Sequence, residues 1–198
     1  MKKGLLTLLL AVVLIAPVFA TDKGAMEIDV KAGYIASNNL DFDGTSASTD
    51  SKFVLGADFY YYVHPNVALG AGINNIFDSG ETDYDNEGTY KDKFGFTNIY
   101  FTVKPKLDLQ SDIFTSVYGI VQLGYGLFRL DYDADGGPDP DTKNGLYWGI
   151  GAGAEIMKNF IFELIYSCNN GKVEFQGSNS NDIKYSIFSI NVGYKFSI

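Results

Sequence analysis

Leu146-Tyr147-Trp148-Gly149-Ile150-Gly151-Ala152-Gly153-Ala154-Glu155-Ile156 is a run with two alternating faces. The even positions carry Leu, Trp, Ile, Ala, Ala and Ile, and the odd ones carry Tyr, Gly, Gly, Gly and Glu. A period of two belongs to a strand, not to a helix. Neither face suits water. Three glycines on alternate positions make a poor solvent-exposed surface, but they fit a narrow interior crowded by large side chains.

The same pattern recurs outward in both directions. Phe53, Leu55, Ala57, Phe59, Tyr61 and Val63 oppose Val54, Gly56, Asp58, Tyr60 and Tyr62. Val67, Leu69, Ala71, Ile73 and Phe77 oppose Ala68, Gly70, Gly72, Asn74 and Ile76. Val117, Val121, Leu123, Tyr125 and Leu127 oppose Tyr118, Gln122, Gly124 and Gly126. The C-terminal stretch sets Phe188, Ile190, Val192, Tyr194, Phe196 and Ile198 against Ser189, Asn191, Gly193 and Lys195. Weaker alternation covers residues 26–35, 98–107 and 160–168, which brings the strands to eight. Long polar connections (residues 37–52, 78–93, 129–144 and 169–184) alternate with short turns at His64-Pro65-Asn66, Gln110-Ser111-Asp112 and Lys158-Asn159. No repeat of 20–50 residues and no linker divides the chain, so one domain is expected.

Composition narrows the setting. Of 198 residues, 22 are Gly, 14 Tyr and 15 Phe, which favours strands with close backbone approaches. A formal charge of −9 argues against a nucleic-acid partner. One Cys and one His leave no cysteine framework or multi-His metal site, and no cofactor is expected. A water-soluble barrel would carry many Lys and Glu on its outer face. Here one face is apolar and the other small or polar, so the economical arrangement puts the apolar face in lipid and the other inside. Closure then pairs every backbone group, as hydrocarbon demands. The expected fold is all-β: an eight-stranded antiparallel up-and-down transmembrane β-barrel. Large aromatics would not all fit inside eight strands, which enclose little room. Tyr61, Phe160, Phe162, Tyr194 and Phe196 would form one interfacial girdle, and Tyr34, Phe77, Tyr125, Trp148, Tyr166 and Phe188 the other.

The first twenty residues read as an address. Lys2-Lys3, the apolar stretch 5–15 and Val18-Phe19-Ala20 make a secretory signal, with cleavage expected after Ala20. The apolar stretch is 11 residues, against about 20 for a membrane-spanning helix. The barrel domain would then occupy residues 21–198.

With this signal, the eight alternating strands, the asymmetric connections and the closing stretch Ile190-Asn191-Val192-Gly193-Tyr194-Lys195-Phe196-Ser197-Ile198, the chain resembles the small eight-stranded outer-membrane proteins of the OmpA/OmpX type. The resemblance implies an outer-membrane location in a Gram-negative-type bacterium, termini in the periplasm and four long loops outside. It also implies recognition of the last strand by the barrel-assembly machinery, with Tyr194, Phe196 and Ile198 as the signal. Members of the family usually end in an aromatic residue. Here Ile198 takes the last place.

Strand parity sends Glu27, Asp29, Lys31, Asp58, Lys104, Glu155, Glu163 and Lys195 inward. Strands 1 and 8 must meet, so Lys195 is expected near Glu27 or Asp29. Tyr60, Tyr100, Tyr118 and Tyr147 share the inward face and would bond to the charges. Asp131, Asp133 and Asp135, followed by Gly136, look like the start of a calcium loop, but the twelfth position is Thr142 and the flanks are strands. A solvated acidic loop is the plainer reading. The four long connections hold 16 of the 24 acids against seven bases, a surface suited to solubility or to a cationic partner. His64, the only imidazole, sits at a short turn with no Ser beside it, unlike the lipid-modifying barrel enzymes whose fold this resembles. The expected protein is therefore a monomeric barrel, not an enzyme, with a structural or surface-interaction role. Its partners would be outer-membrane lipid, lipopolysaccharide and an unidentified ligand at the long loops. The alternative is a narrow passive channel for small solutes, and a filled interior discriminates between the two.

Overall fold

The computed structural model describes residues 23–42, 45–49, 53–77, 82–84, 88–90, 93–109, 111–131, 141–174 and 180–198. Eight long strands build the wall: β1 Met26–Phe42, β2 Phe53–His64, β3 Val67–Phe77, β4 Lys93–Asp108, β5 Phe114–Asp131, β6 Gly145–Ile156, β7 Phe160–Glu174 and β8 Ser180–Ser197. Each pairs antiparallel with its neighbours in sequence, and β8 returns to pair with β1. The sheet is thereby a closed barrel, and no edge is left within the wall. Closure runs from Glu27 opposite Ser197 to Phe42 opposite Ile183. Among the described residues there is no helix.

The alternation in sequence becomes the wall's two faces. Leu69, Val121, Ile150 and Val192 stand on the outside, and Val121 is 44% exposed and Val192 59%. Such a surface would aggregate in water and is stable only against lipid. Aromatics mark its two rims. Phe160 packs edge-on to Tyr194 at 5.5 Å near the short turns, and Trp148 meets Tyr166 at 5.7 Å near the long connections. Close packing inside explains the glycines. A Cβ at Gly72 would lie 1.9 Å from Asp58 Oδ1 and 2.6 Å from the Tyr100 ring, and one at Gly153 would lie 2.6 Å from the Tyr118 ring. The turn after β6 places Met157 and Lys158 at φ of 52° and 72°, a region non-glycine residues seldom occupy.

Two features depart from the sequence expectation. The first is strand length. β1 has 17 residues, β4 has 16, and β5 and β8 have 18 each, whereas about 9–11 residues cross the hydrocarbon. Much of the expected connections 37–52, 129–144 and 169–184 is thus wall, continued outside the membrane. Three short strands extend the sheet from β1 in the order Thr45–Thr49, Thr82–Tyr84, Gly88–Tyr90, and Asp141–Lys143 pairs with β7. Outside hydrocarbon, strands need no apolar alternation, so the periodic signal fades where the sheet continues. The second departure is a bulge in β1 between Ile35 and Ser37. It reverses the parity, so that odd-numbered Ile35 and even-numbered Leu40 both face inward and are buried.

Candidate functional site

The lumen is the site whose chemistry the fold positions, and it is filled in three layers along the barrel axis. The layer nearest the short turns is ionic. Lys104 Nζ lies 2.5 Å from Glu27 Oε1, 3.1 Å from Asp29 Oδ2 and 4.0 Å from Glu155 Oε1. Lys195 Nζ reaches Glu155 at 2.7 Å and Glu27 at 4.0 Å. Lys106 is the third cation on Glu155, at 3.1 Å, and joins Asp108 at the rim, 3.3 Å away. Deeper in, Lys31 bridges Asp58 at 2.5 Å and Glu163 at 2.7 Å.

Tyrosines add to the carboxylate coordination. The hydroxyls of Tyr62, Tyr100 and Tyr118 donate to Glu27, Asp58 and Glu163 at 3.0, 2.7 and 3.2 Å. Lys104 also stands over the rings of Tyr118 and Tyr60, 4.3 and 4.6 Å from their centroids. These side chains are almost wholly withdrawn from solvent. An isolated ion in such a place costs several kcal/mol of desolvation, so each holds only because its neighbours complement it.

All eight charged residues assigned inward by parity lie in this lumen. Lys195 approaches Glu27, as strand closure requires, but its shorter contact is Glu155. The sequence reading omitted Lys106, although it shares the even parity of Lys104 across Pro105. It also gave no role to Tyr62.

The middle layer carries a chain of amides and hydroxyls, with Ile165 buried beside it against Ile120 and Tyr118. Asn98 donates to Asn74 at 2.8 Å, Asn74 to Tyr147 at 3.3 Å, and Tyr147 to Gln122 at 2.7 Å. The internal space here, bounded by Lys31, Tyr100, Gln122, Tyr147 and Asn191, amounts to 20 Å³. That is room for about one water.

The outer layer is apolar. Ile35, Leu40, Val54, Ile76, Phe96, Phe128, Val173, Ile183, Tyr185 and Ile187 form one buried cluster, drawn from every wall strand except β6. Phe96 stacks on Tyr185 with ring centres 5.7 Å apart and meets Phe128 at 4.8 Å. The sequence places the Phe side chains on the lipid face and Tyr60, Tyr100, Tyr118 and Tyr147 inward; Phe96, Phe128 and Tyr185 face inward as well and fill the outer end.

The other sequence candidates fall elsewhere. Asp133 and Asp135 lie outside the described residues, as does the side chain of Asp131. Among the described residues no group of three or more metal-binding side chains converges. His64 ends β2 at the short-turn rim, where its Nδ1 accepts from the Asn66 N–H at 3.2 Å. Cys168 is fully buried although its parity is outward; Trp148 and Ser186 are its cross-strand neighbours. Tyr194 and Phe196 face outward near the end of β8, and the Ile198 N–H donates to the Met26 carbonyl at 2.9 Å.

Among solved structures the chain is similar to several small outer-membrane barrels. Ail, the attachment invasion locus protein of Yersinia pestis, superposes with a TM-score of 0.54 at 15% identity, over 88% of this chain and 100% of that one. Neisserial surface protein A gives 0.54 at 16%, over 87% and 99%. OprG from Pseudomonas aeruginosa gives 0.53 at 17%, over 91% and 99%. At these identities the likeness is one of fold. No curated protein matches the sequence. The family model for the outer membrane protein beta-barrel domain matches residues 6–196, so this chain belongs to that family of Gram-negative outer-membrane barrels.

Proposed function

We propose that this protein is a closed barrel that conducts no solute and serves the outer membrane as a structural or surface-interaction element. The observation that carries the reading is the filled lumen: a network of four lysines and six carboxylates, an amide layer with 20 Å³ of space, and an apolar cluster across the outer end. A path for solute would have to separate buried ion pairs and part the Phe96–Tyr185 stack. Contact with other molecules therefore falls to the outer extensions and the acidic connections, where fold places few constraints on sequence. The name of the Yersinia neighbour, an attachment protein, agrees with such a role and adds no ligand to it.

On this reading the chain is exported with cleavage after Ala20, inserted by the barrel-assembly machinery through Tyr194, Phe196 and Ile198, and resides as a monomer among lipid and lipopolysaccharide. It uses no cofactor and is not an enzyme. Proteoliposome swelling in small sugars tests the closed lumen. Protein-loaded vesicles should swell no faster than empty ones, and rapid swelling that rises with protein content would favour the narrow channel instead.

A further inference from the structure

The outside of the wall changes character at one row of β3, β4 and β5. On β3 the outward apolar series ends at Ile73, and on β4 it ends at Ile99. The next outward positions are Asn75 and Thr97, which face each other across the two strands. They are the first polar side chains met on this part of the wall on leaving the hydrocarbon.

Arg129, the single arginine of the chain, stands on β5 one row further out, opposite Gly95. A cationic side chain at a bilayer surface ordinarily extends its head toward water. Arg129 does the reverse. Its Nη2 turns back and donates to Asn75 Oδ1 and to Thr97 Oγ1, both at 3.2 Å. The guanidinium is thereby held one row nearer the hydrocarbon than the strand position that carries it. Thr97 donates in turn to Asn75 Oδ1 at 3.3 Å, which closes the cluster.

These bonds use up the acceptors and leave donors over. Asn75 Oδ1 accepts twice, and Thr97 Oγ1 accepts once while giving its own proton. A guanidinium has more N–H groups than two bonds consume. Nε and Nη1 of Arg129 and Nδ2 of Asn75 therefore keep protons for which no described residue is the acceptor. No carboxylate among the described residues answers the charge either, whereas Lys143 and Lys172 at the same end pair with Glu174 and Asp182. There is room for an occupant. Gly95 lies between Phe77 and Arg129, and a Cβ there would touch one atom, the Ile76 carbonyl oxygen at 3.1 Å. Below the cluster Ile73, Ile99 and Phe101 are exposed, Phe101 by 78%.

A positive cluster with only donors to offer, at the upper edge of an apolar wall, complements a lipid whose head is an anion with only acceptors. A phosphomonoester fits best, because it has three terminal oxygens and a charge of about −1.5 to −2. We propose that Arg129, positioned by Asn75 and Thr97, binds the phosphomonoester of an outer-leaflet lipid whose chains lie on Ile73, Ile99 and Phe101. The proposal rests on the reading above that the barrel sits in the outer membrane with its long connections outside. It does not depend on whether the lumen conducts, so a conducting barrel would leave it standing.

The test is native mass spectrometry of the full chain in neutral detergent, titrated with dioleoylphosphatidic acid, a lipid that carries a phosphomonoester and no sugar. Wild type should take up one molecule ahead of any weaker binding. Arg129→Gln should weaken that first step roughly tenfold. Thr97→Val keeps the charge but loosens the guanidinium, and should weaken it less. Lys172→Gln removes a cation elsewhere at the same end and should leave it unchanged. Phosphatidylglycerol, a diester, should bind several-fold more weakly, and inorganic phosphate should not displace the bound lipid. Retained heat-modifiable mobility confirms that each variant is folded. Equal affinity of wild type and Arg129→Gln would overturn the proposal. So would equal affinity for the two lipids, displacement by inorganic phosphate, or a loss in Lys172→Gln as large as that in Arg129→Gln.

Discussion

Lys104 and Glu27 are 77 residues apart in sequence and 2.5 Å apart in the lumen, on β4 and β1, with Asp29 sharing the same ammonium at 3.1 Å. The contact crosses the barrel, because β1 and β4 are separated in the wall by β2 and β3. It therefore ties opposite sides of the closed sheet in a way that neighbouring-strand hydrogen bonds do not. Replacing Lys104 by Met leaves Glu27 and Asp29 buried beside each other without their shared cation. Removing one partner of a buried pair typically costs about 3–5 kcal/mol. Lys143→Met, which breaks the exposed pair with Glu174, should cost no more than about 1 kcal/mol. Urea unfolding in detergent, read by Trp148 fluorescence, measures both.

Gly72 gives a second prediction. Any Cβ there meets Asp58 Oδ1 and the Tyr100 ring, both buried and hydrogen-bonded to each other at 2.7 Å. Gly72→Ala should lower stability by about 1–3 kcal/mol, as overpacking usually does. At Gly119 the nearest atom to a Cβ is Pro105 Cγ at 3.3 Å. Gly119→Ala should change the unfolding midpoint little, and a comparable loss at both positions would count against the packed interior.

Much of this was legible in the sequence. The parity of residues 146–156 assigns Trp148 and Ile150 outward and Glu155 inward, and the same rule finds Asp58, Glu163 and Lys195. It works because hydrocarbon enforces alternation without exception across the span. It fails where that enforcement ends. Leu40 turns inward only because a bulge lies between Ile35 and Ser37, and a bulge has no composition signature here. Phe96, Phe128 and Tyr185 have inward parity, but a rule reserving the interior for small and polar groups hides them. That rule is already breached lower down by the buried Ile120, Ile161 and Ile165, and it fails outright at the outer end, where the wall continues beyond the membrane and encloses an apolar core.

The lipid face gives a third prediction. Val121 lies on the outside of β5, four residues below Tyr125 of the outer girdle and about midway to the strand's inner end. Val121→Arg places a charge near the bilayer centre and should cost about 2–4 kcal/mol. Asp112→Arg in the exposed short turn should cost little. Folding titrations into liposomes of defined thickness compare the two, and equal costs would reject the assigned face.

Export gives a fourth. N-terminal sequencing of the protein from outer-membrane fractions should begin at Thr21. A mature chain beginning at Met1 would contradict cleavage after Ala20.

The closed lumen itself is tested most directly by single-channel recording of purified, refolded protein in planar bilayers. Wild type should show no open level of fixed amplitude. Lys195→Ala, which strips Glu155 of its 2.7 Å partner, and Phe96→Gly, which opens the apolar layer, should together introduce transient conductance. A steady open-channel current in wild type, unchanged by Lys195→Ala and Phe96→Gly, would contradict a lumen sealed by these side chains.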